Sequence, residues 1–185
     1  MASRKPYVGG NWKMNLHHKD AVALALAVAQ GVADDAADVA IFPAFPYLLP
    51  VADALCQKGS KNVKVGAQNF YLQPNGAYTG EVSLSMLKDT GCKVVLVGHS
   101  ERRHVLGESD VLLNEKTLAA LEAGFEVIFC VGEKLEQREQ GKTDAINWGQ
   151  LGYGLAGVKP EGMKNIVIAY EPVWAIGTGK TASAQ

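Results

Sequence analysis

The stretch Val94-Val95-Leu96-Val97-Gly98-His99-Ser100-Glu101-Arg102-Arg103 changes character at a single residue. Four apolar residues come first, and everything after Gly98 is polar or charged. A strand with one face in water alternates apolar and polar residues. A strand that is apolar throughout is buried on both faces, as in a parallel sheet covered by helices. Polar groups just past its end stand where parallel α/β folds place their ligand sites. Working outward, the same apolar blocks predict strands over residues 7–10, 39–42, 63–67, 94–97, 127–131 and 166–170. Amphipathic segments at 20–31, 47–58 and 112–124 lie between them, with Asp20 as an expected N-cap and Gly31, Gly59 and Gly124 as expected stops. Strand and helix in alternation imply an α/β fold with right-handed crossovers.

The strands recur about every 32 residues, so eight such units would need about 254, near the roughly 250 of a (βα)8 barrel. An open doubly wound sheet is satisfied by six units with nothing missing, and period alone does not separate the two. After Gly179, the residues Lys180-Thr181-Ala182-Ser183-Ala184-Gln185 read as the opening turn of a helix. One turn is unstable by itself, so the expectation is a chain cut within a longer fold.

Composition removes several function classes. Lys and Arg number 18 against 19 Asp and Glu, which gives no basic face for nucleic acid. No apolar run approaches the roughly 20 residues of a membrane span, and Arg4 and Lys5 lead into Pro6 rather than a secretory h-region. Cys56, Cys92 and Cys130 are odd in number and form no CxxC pair. They are expected as reduced thiols of a cytoplasmic protein, with Cys130 in the core and no metal site.

Chemistry collects after three strands: Asn11-Trp12-Lys13 after the first, His99 to Arg103 after the fourth, and Glu171-Pro172 after the sixth. A base (Glu171), a neutral donor (His99) and a fixed cation (Lys13) are what proton abstraction next to a carbonyl requires. In Pro172-Val173-Trp174-Ala175-Ile176-Gly177-Thr178-Gly179 an apolar tip sits between a rigid proline and two glycines. That suits a lid that expels water and offers glycine N–H groups to an anion. Gly179-Lys180-Thr181 imitates the end of a nucleotide-binding P-loop, but the glycine required five positions earlier is Trp174, and that reading is rejected. His17, His18 and His104 read as solvated, and the run from Glu133 to Lys142 as a charged helix face, with Glu133 able to cap or orient the strand end before it.

Taken together, Val8-Gly9-Gly10-Asn11-Trp12-Lys13-Met14-Asn15, Val97 to Arg103, Cys130-Val131-Gly132-Glu133 and Ala169 to Gly179 closely resemble the triosephosphate isomerase family. Gln68-Asn69 and the loop to Thr79-Gly80-Glu81 resemble it too, and the likeness runs through the whole chain in order. The resemblance implies one (βα)8 TIM-barrel domain over residues 1–185, here about its first six units and ending after the lid loop. It implies interconversion of dihydroxyacetone phosphate and glyceraldehyde 3-phosphate without cofactor or metal.

By matching positions, Glu171 is the base, His99 the electrophile, and Asn11 and Lys13 hold the substrate and its developing charge. Glu101 steadies Lys13, Ser100 and Glu101 open a short helix behind His99, and Gly177 donates to the substrate phosphate. A neutral histidine at a helix N-terminus is this family's known arrangement. The resemblance also implies a homodimer whose loop, with Gln68, Phe70, Tyr71, Leu72, Tyr78 and Thr79, enters the neighbouring subunit. The seventh and eighth strands of the family, about 69 residues with a serine and two glycines for the phosphate, have no counterpart in these 185 residues. Six strands alone leave open edges, so the isolated chain is expected to aggregate, exchange strands, or borrow a complementing C-terminal segment. The competing expectation is an idle folding or interaction module of the same fold.

Overall fold

Apolar blocks become strands here because each finds parallel neighbours and a helical cover. The computed structural model describes residues 5–32 and 37–181. It divides into two compact units, Met1–Val95 and Leu96–Gln185. The first holds β1 (Tyr7–Asn11), α1 (His18–Gly31), β2 (Asp38–Phe42), α2 (Leu48–Gln57), β3 (Val63–Ala67) and α3 (Leu84–Asp89). The chain passes from one unit to the next within β4 (Val94–Val97). The second unit continues with α4 (Ser100–His104), α5 (Asp110–Glu122), β5 (Glu126–Val131), α6 (Leu135–Glu139), α7 (Thr143–Gly154) and β6 (Ile166–Tyr170).

Strand order follows chain order, β1-β2-β3-β4 in the first unit and β4-β5-β6 in the second. All the registered pairs are parallel: Tyr7 lies opposite Asp38, Val39 opposite Val63, Gly66 opposite Val94, and Val127 opposite Ile166. A doubly wound sheet reverses direction beside its first strand and so places β1 inside the sheet. Here β1, β2 and β3 simply succeed one another, which decides for six βα units of a (βα)8 barrel.

Burial follows the apolar blocks. All four residues of β4 are buried, as are four of the five in β2. In the first unit Leu48, Val51 and Leu55 of α2 and Leu87 of α3 are buried with them; in the second, Leu113 and Ala120 of α5 are buried along with Phe129 of β5. The outermost strands depart from the expectation of burial on both faces. Val8 of β1 keeps 54% of its surface, and Ile168 and Tyr170 of β6 keep 41% and 47%.

The helix ends need two corrections. Helix α1 starts at His18 with His17 in the cap position, so Asp20 is not the N-cap. It sits in the first turn, where a negative charge favours the helix dipole. Helix α5 begins two residues earlier than expected because the Ser109 hydroxyl accepts the Leu112 N–H at 3.3 Å. The stops at Gly59 and Gly124 do end α2 and α5: Ser60 N–H reaches Leu55 O and Phe125 N–H reaches Ala120 O, closing both helices as Schellman motifs. Lys180 and Thr181 are not helical, and the rest of the expected terminal turn, 182–185, lies outside the described residues. Among the described residues no helix is long and apolar enough to cross a membrane.

Candidate active site

In the second unit the chain leaves β4 through Gly98, at φ +77°. A Cβ there would lie 2.8 Å from the Arg103 guanidinium and 3.0 Å from the Cys130 carbonyl, so the turn admits only glycine. Arg103 fills that space, donating from Nε to Gly98 O at 2.7 Å and from Nη2 to Cys130 O at 3.2 Å. It thereby ties the ends of β4 and β5 together. The next residue, His99, is the N-cap of α4 and is buried.

The Nδ1 atom of His99 accepts the Glu101 backbone N–H at 3.3 Å. Glu101 Oε2 also stands 3.5 Å from Nδ1. The aligned N–H donor decides the tautomer: Nδ1 is the acceptor, and the ring proton belongs on Nε2. Nε2 faces Glu171 Oε2 at 3.5 Å. A buried imidazole with one donor to offer therefore meets a carboxylate that is still half-exposed.

Glu171 follows β6, and its N–H donates to Val131 O at 2.9 Å. Gly132 lets its backbone come close, since a Cβ on Gly132 would stand 2.0 Å from the Glu171 carbonyl oxygen. The Cys130 thiol is pushed up to about 12, by burial first and then by the Glu171 charge, with Arg103 opposing. Cys130 is a core thiol and not a nucleophile.

The segment after Glu171 is anchored by a residue that sequence reasoning placed only as a strand-end cap on a solvated helix face. Glu133 is fully buried and precedes α6. It accepts from Trp174 Nε1 at 2.9 Å and from Tyr170 OH at 3.1 Å, with Thr143, Asn147 and Arg138 at 3.4 to 3.5 Å. Burial pushes its carboxyl up, but the hydrogen bonds from Trp174, its own backbone, Tyr170 and Asn147 outweigh that and leave it below the usual carboxylate value. Burial and the Glu133 charge push the Tyr170 phenol up. Arg138 also stacks 4.6 Å over the Trp174 ring. Pro172 is buried, Val173–Ala175 form a 3-10 turn, and Gly177, Thr178 and Gly179 are exposed.

In the first unit, Asn11 closes β1 and its Oδ1 accepts the Lys13 N–H at 2.9 Å. Lys13 has φ +54°, a left-handed conformation that costs a non-glycine residue on the order of 1–3 kcal/mol. Gln68 offsets this by donating from Nε2 to both Lys13 O and Phe42 O at 2.8 Å. Gln68 therefore orders the Lys13 backbone of its own chain. In the loop that follows, Phe70 is 1% exposed. It is already buried within this chain, whereas Tyr78 of the same loop is exposed. The Tyr71 and Tyr78 rings meet at a 44° tilt with 4.8 Å between centres, and Thr79 is exposed.

The structure thus brings His99, Glu101 and Glu171 together in one unit, and Asn11, Lys13 and Gln68 in the other. Residues 6–185 match the family model described as triosephosphate isomerase. The triosephosphate isomerase of Carboxydothermus hydrogenoformans is 51% identical over 181 residues, covering 97% of this chain and 71% of that protein. Those of Treponema denticola and Thermoanaerobacter pseudethanolicus are 48% and 46% identical over 182 residues, each covering 98% of this chain and 72% of the relative.

Proposed function

The chain belongs to the triosephosphate isomerase family, and on that premise we propose that it interconverts dihydroxyacetone phosphate and D-glyceraldehyde 3-phosphate through an enediolate. Glu171 takes the proton from the carbon beside the carbonyl, and the C–H electron pair moves to form the enediolate. His99 gives its Nε2 proton to the carbonyl oxygen on which charge develops and takes the proton of the neighbouring hydroxyl in its place, and Glu171 returns its proton to the adjacent carbon, which leaves the carbonyl on the first carbon. Asn11 and Lys13 hold the substrate and its charge, and Ser100 and Glu101 open α4 behind His99. Pro172 to Gly179 act as the lid, with Gly177 N–H on the phosphate. No cofactor takes part.

The observation that carries the reading is the facing of His99 Nε2 and Glu171 Oε2 at 3.5 Å, with Nδ1 already occupied by a backbone N–H. Base and donor are then distinct groups in distinct protonation states, as a proton transfer next to a carbonyl demands. The same reading places the protein in the cytoplasm as a two-fold dimer through the loop that contains Tyr78 and Thr79. It takes the exposed Val8 in one unit, and Ile168 and Tyr170 in the other, as surface that a complementing C-terminal segment covers. A coupled assay for glyceraldehyde 3-phosphate, with and without such a segment, tests the activity. Turnover that disappears in Glu171→Gln is the expected result, and turnover equal in the two proteins overturns the assignment.

A further inference from the structure

We propose that Gln150, on α7, is a positioning residue that fixes the backbone from which Glu171 projects. The inference rests on Glu171 being the base, and goes beyond it by assigning what holds that base in place. In a strand, successive residues direct their N–H and C=O groups to alternate sides. At the end of β5, Val131 O accepts the Glu171 N–H at 2.9 Å, and just past it Glu133 O accepts the Val173 N–H at 3.0 Å. Gly132, between them, directs its own N–H and C=O away from those partners. Both groups belong to a buried residue and need partners of their own.

Gln150 supplies both. Its Oε1 accepts the Gly132 N–H at 2.9 Å, and its Nε2 donates to Gly132 O at 3.2 Å. A single primary amide thus does what an adjacent strand does elsewhere in a sheet. Gly132 also lies directly against the Glu171 backbone, with room for a hydrogen and not for a methyl group. A displacement of Gly132 therefore passes directly to Glu171. Glutamate at position 150 lacks the donor, and asparagine is one methylene too short.

The test uses Gln150→Ala and Gln150→Glu in the full chain. Asn114→Ala serves as the control, because Asn114 makes a similar two-bond amide clamp at the C-terminal end of α7, to Gly154 O and Ala156 O at 3.1 and 2.8 Å, away from Gly132. Amide hydrogen exchange is followed by NMR at Gly132, Glu171 and the β5 residues, beside steady-state isomerase kinetics. Both Gln150 variants are expected to speed exchange at Glu171 at least tenfold relative to the β5 amides. Both should lower kcat about tenfold with little change in KM, since misplacing a base by a fraction of an ångström costs rate rather than binding. Asn114→Ala should do neither. Exchange at Glu171 that rises no more in Gln150→Ala than in Asn114→Ala overturns the proposal, as does a kcat unchanged in both Gln150 variants. Where the parent chain shows no turnover, the exchange comparison decides alone. A Glu171→Gln variant with full turnover removes Glu171 as the base while leaving the exchange result to judge the clamp.

Discussion

Replacing Glu133 should show that the segment after Glu171 is anchored by charge and not by shape. The carboxylate is fully buried, with two close donors, Trp174 Nε1 at 2.9 Å and Tyr170 OH at 3.1 Å. Hydrogen bonds to a charged acceptor contribute about 1.5–3 kcal/mol each, against roughly 0.5–1.5 for neutral ones. Glu133→Gln keeps the shape and turns both into neutral bonds. The expected loss is about 1 kcal/mol per bond, offset in part by the smaller cost of burying an amide, or about 1–2 kcal/mol at pH 7. Glu133→Ala also leaves the indole N–H and the phenol without their acceptor beside a cavity, and should cost about 3–5 kcal/mol. The pH dependence gives the sharper signature. The carboxyl lies below its ordinary value in the folded protein, so its contribution is present above the unfolded value near 4.5 and is lost as pH falls through the folded one. Urea titrations at pH 7 and pH 3.5, read by tryptophan fluorescence, should show the gap between parent and Glu133→Gln narrowing at the lower pH. A gap equal at both would mean that Glu133 is not held as a carboxylate and would refute the reasoning.

Three further outcomes follow from particular residues. Glu171→Asp withdraws the carboxylate by one methylene and should lower kcat on the order of 100-fold in steady-state assays while binding of a substrate analogue changes far less. On α7, a Cβ at Gly149 or Gly152 meets nothing within 4 Å, so Gly149→Ala and Gly152→Ala should each raise urea-unfolding stability by about 0.5–1 kcal/mol. Gly154→Ala, whose Cβ would stand 2.0 Å from the Phe129 ring, should lower it in the same titration. Cys56 is exposed while Cys92 and Cys130 are buried with their thiols pushed up, Cys130 to about 12. An aromatic disulfide reagent at pH 8 should therefore titrate one thiol quickly, and the others only on unfolding.

The strands were legible because each is a dense apolar block with a polar end, a pattern complete within ten residues. Every expected strand agrees with the structure to within one residue at each end. Their order was not legible, since a strand buried on both faces carries no mark of which strand lies beside it. Barrel and doubly wound sheet share one alternation and differ only in hydrogen bonds between residues about 30 positions apart, such as Tyr7 with Asp38. Helix α7 went unread for a local reason. Gly149, Gly152 and Gly154 dilute its helix propensity, and it forms because Gly154 lets the Phe129 ring approach and Asn114 closes its end.

The candidate site divides along the same line. His99 and Glu171 stand out because complementary titratable groups recur past three apolar strands, whereas any one of them alone reads as a solvated strand end. Glu133 satisfies the same rule, following Val131 and Gly132 directly, yet it merges into the charged run that continues to Lys142. What removes it from water is a set of donors as far as 41 residues along the chain, at Trp174. Gln150 carries no sequence signal, because an amide on a helix is ordinary until a backbone group without a strand neighbour lies opposite it. The side chains proposed for the chemistry stand at strand ends and can be read from local pattern. Those that hold them in place are chosen by the backbone atoms the fold leaves without partners, and these exist only once β5 and β6 have met.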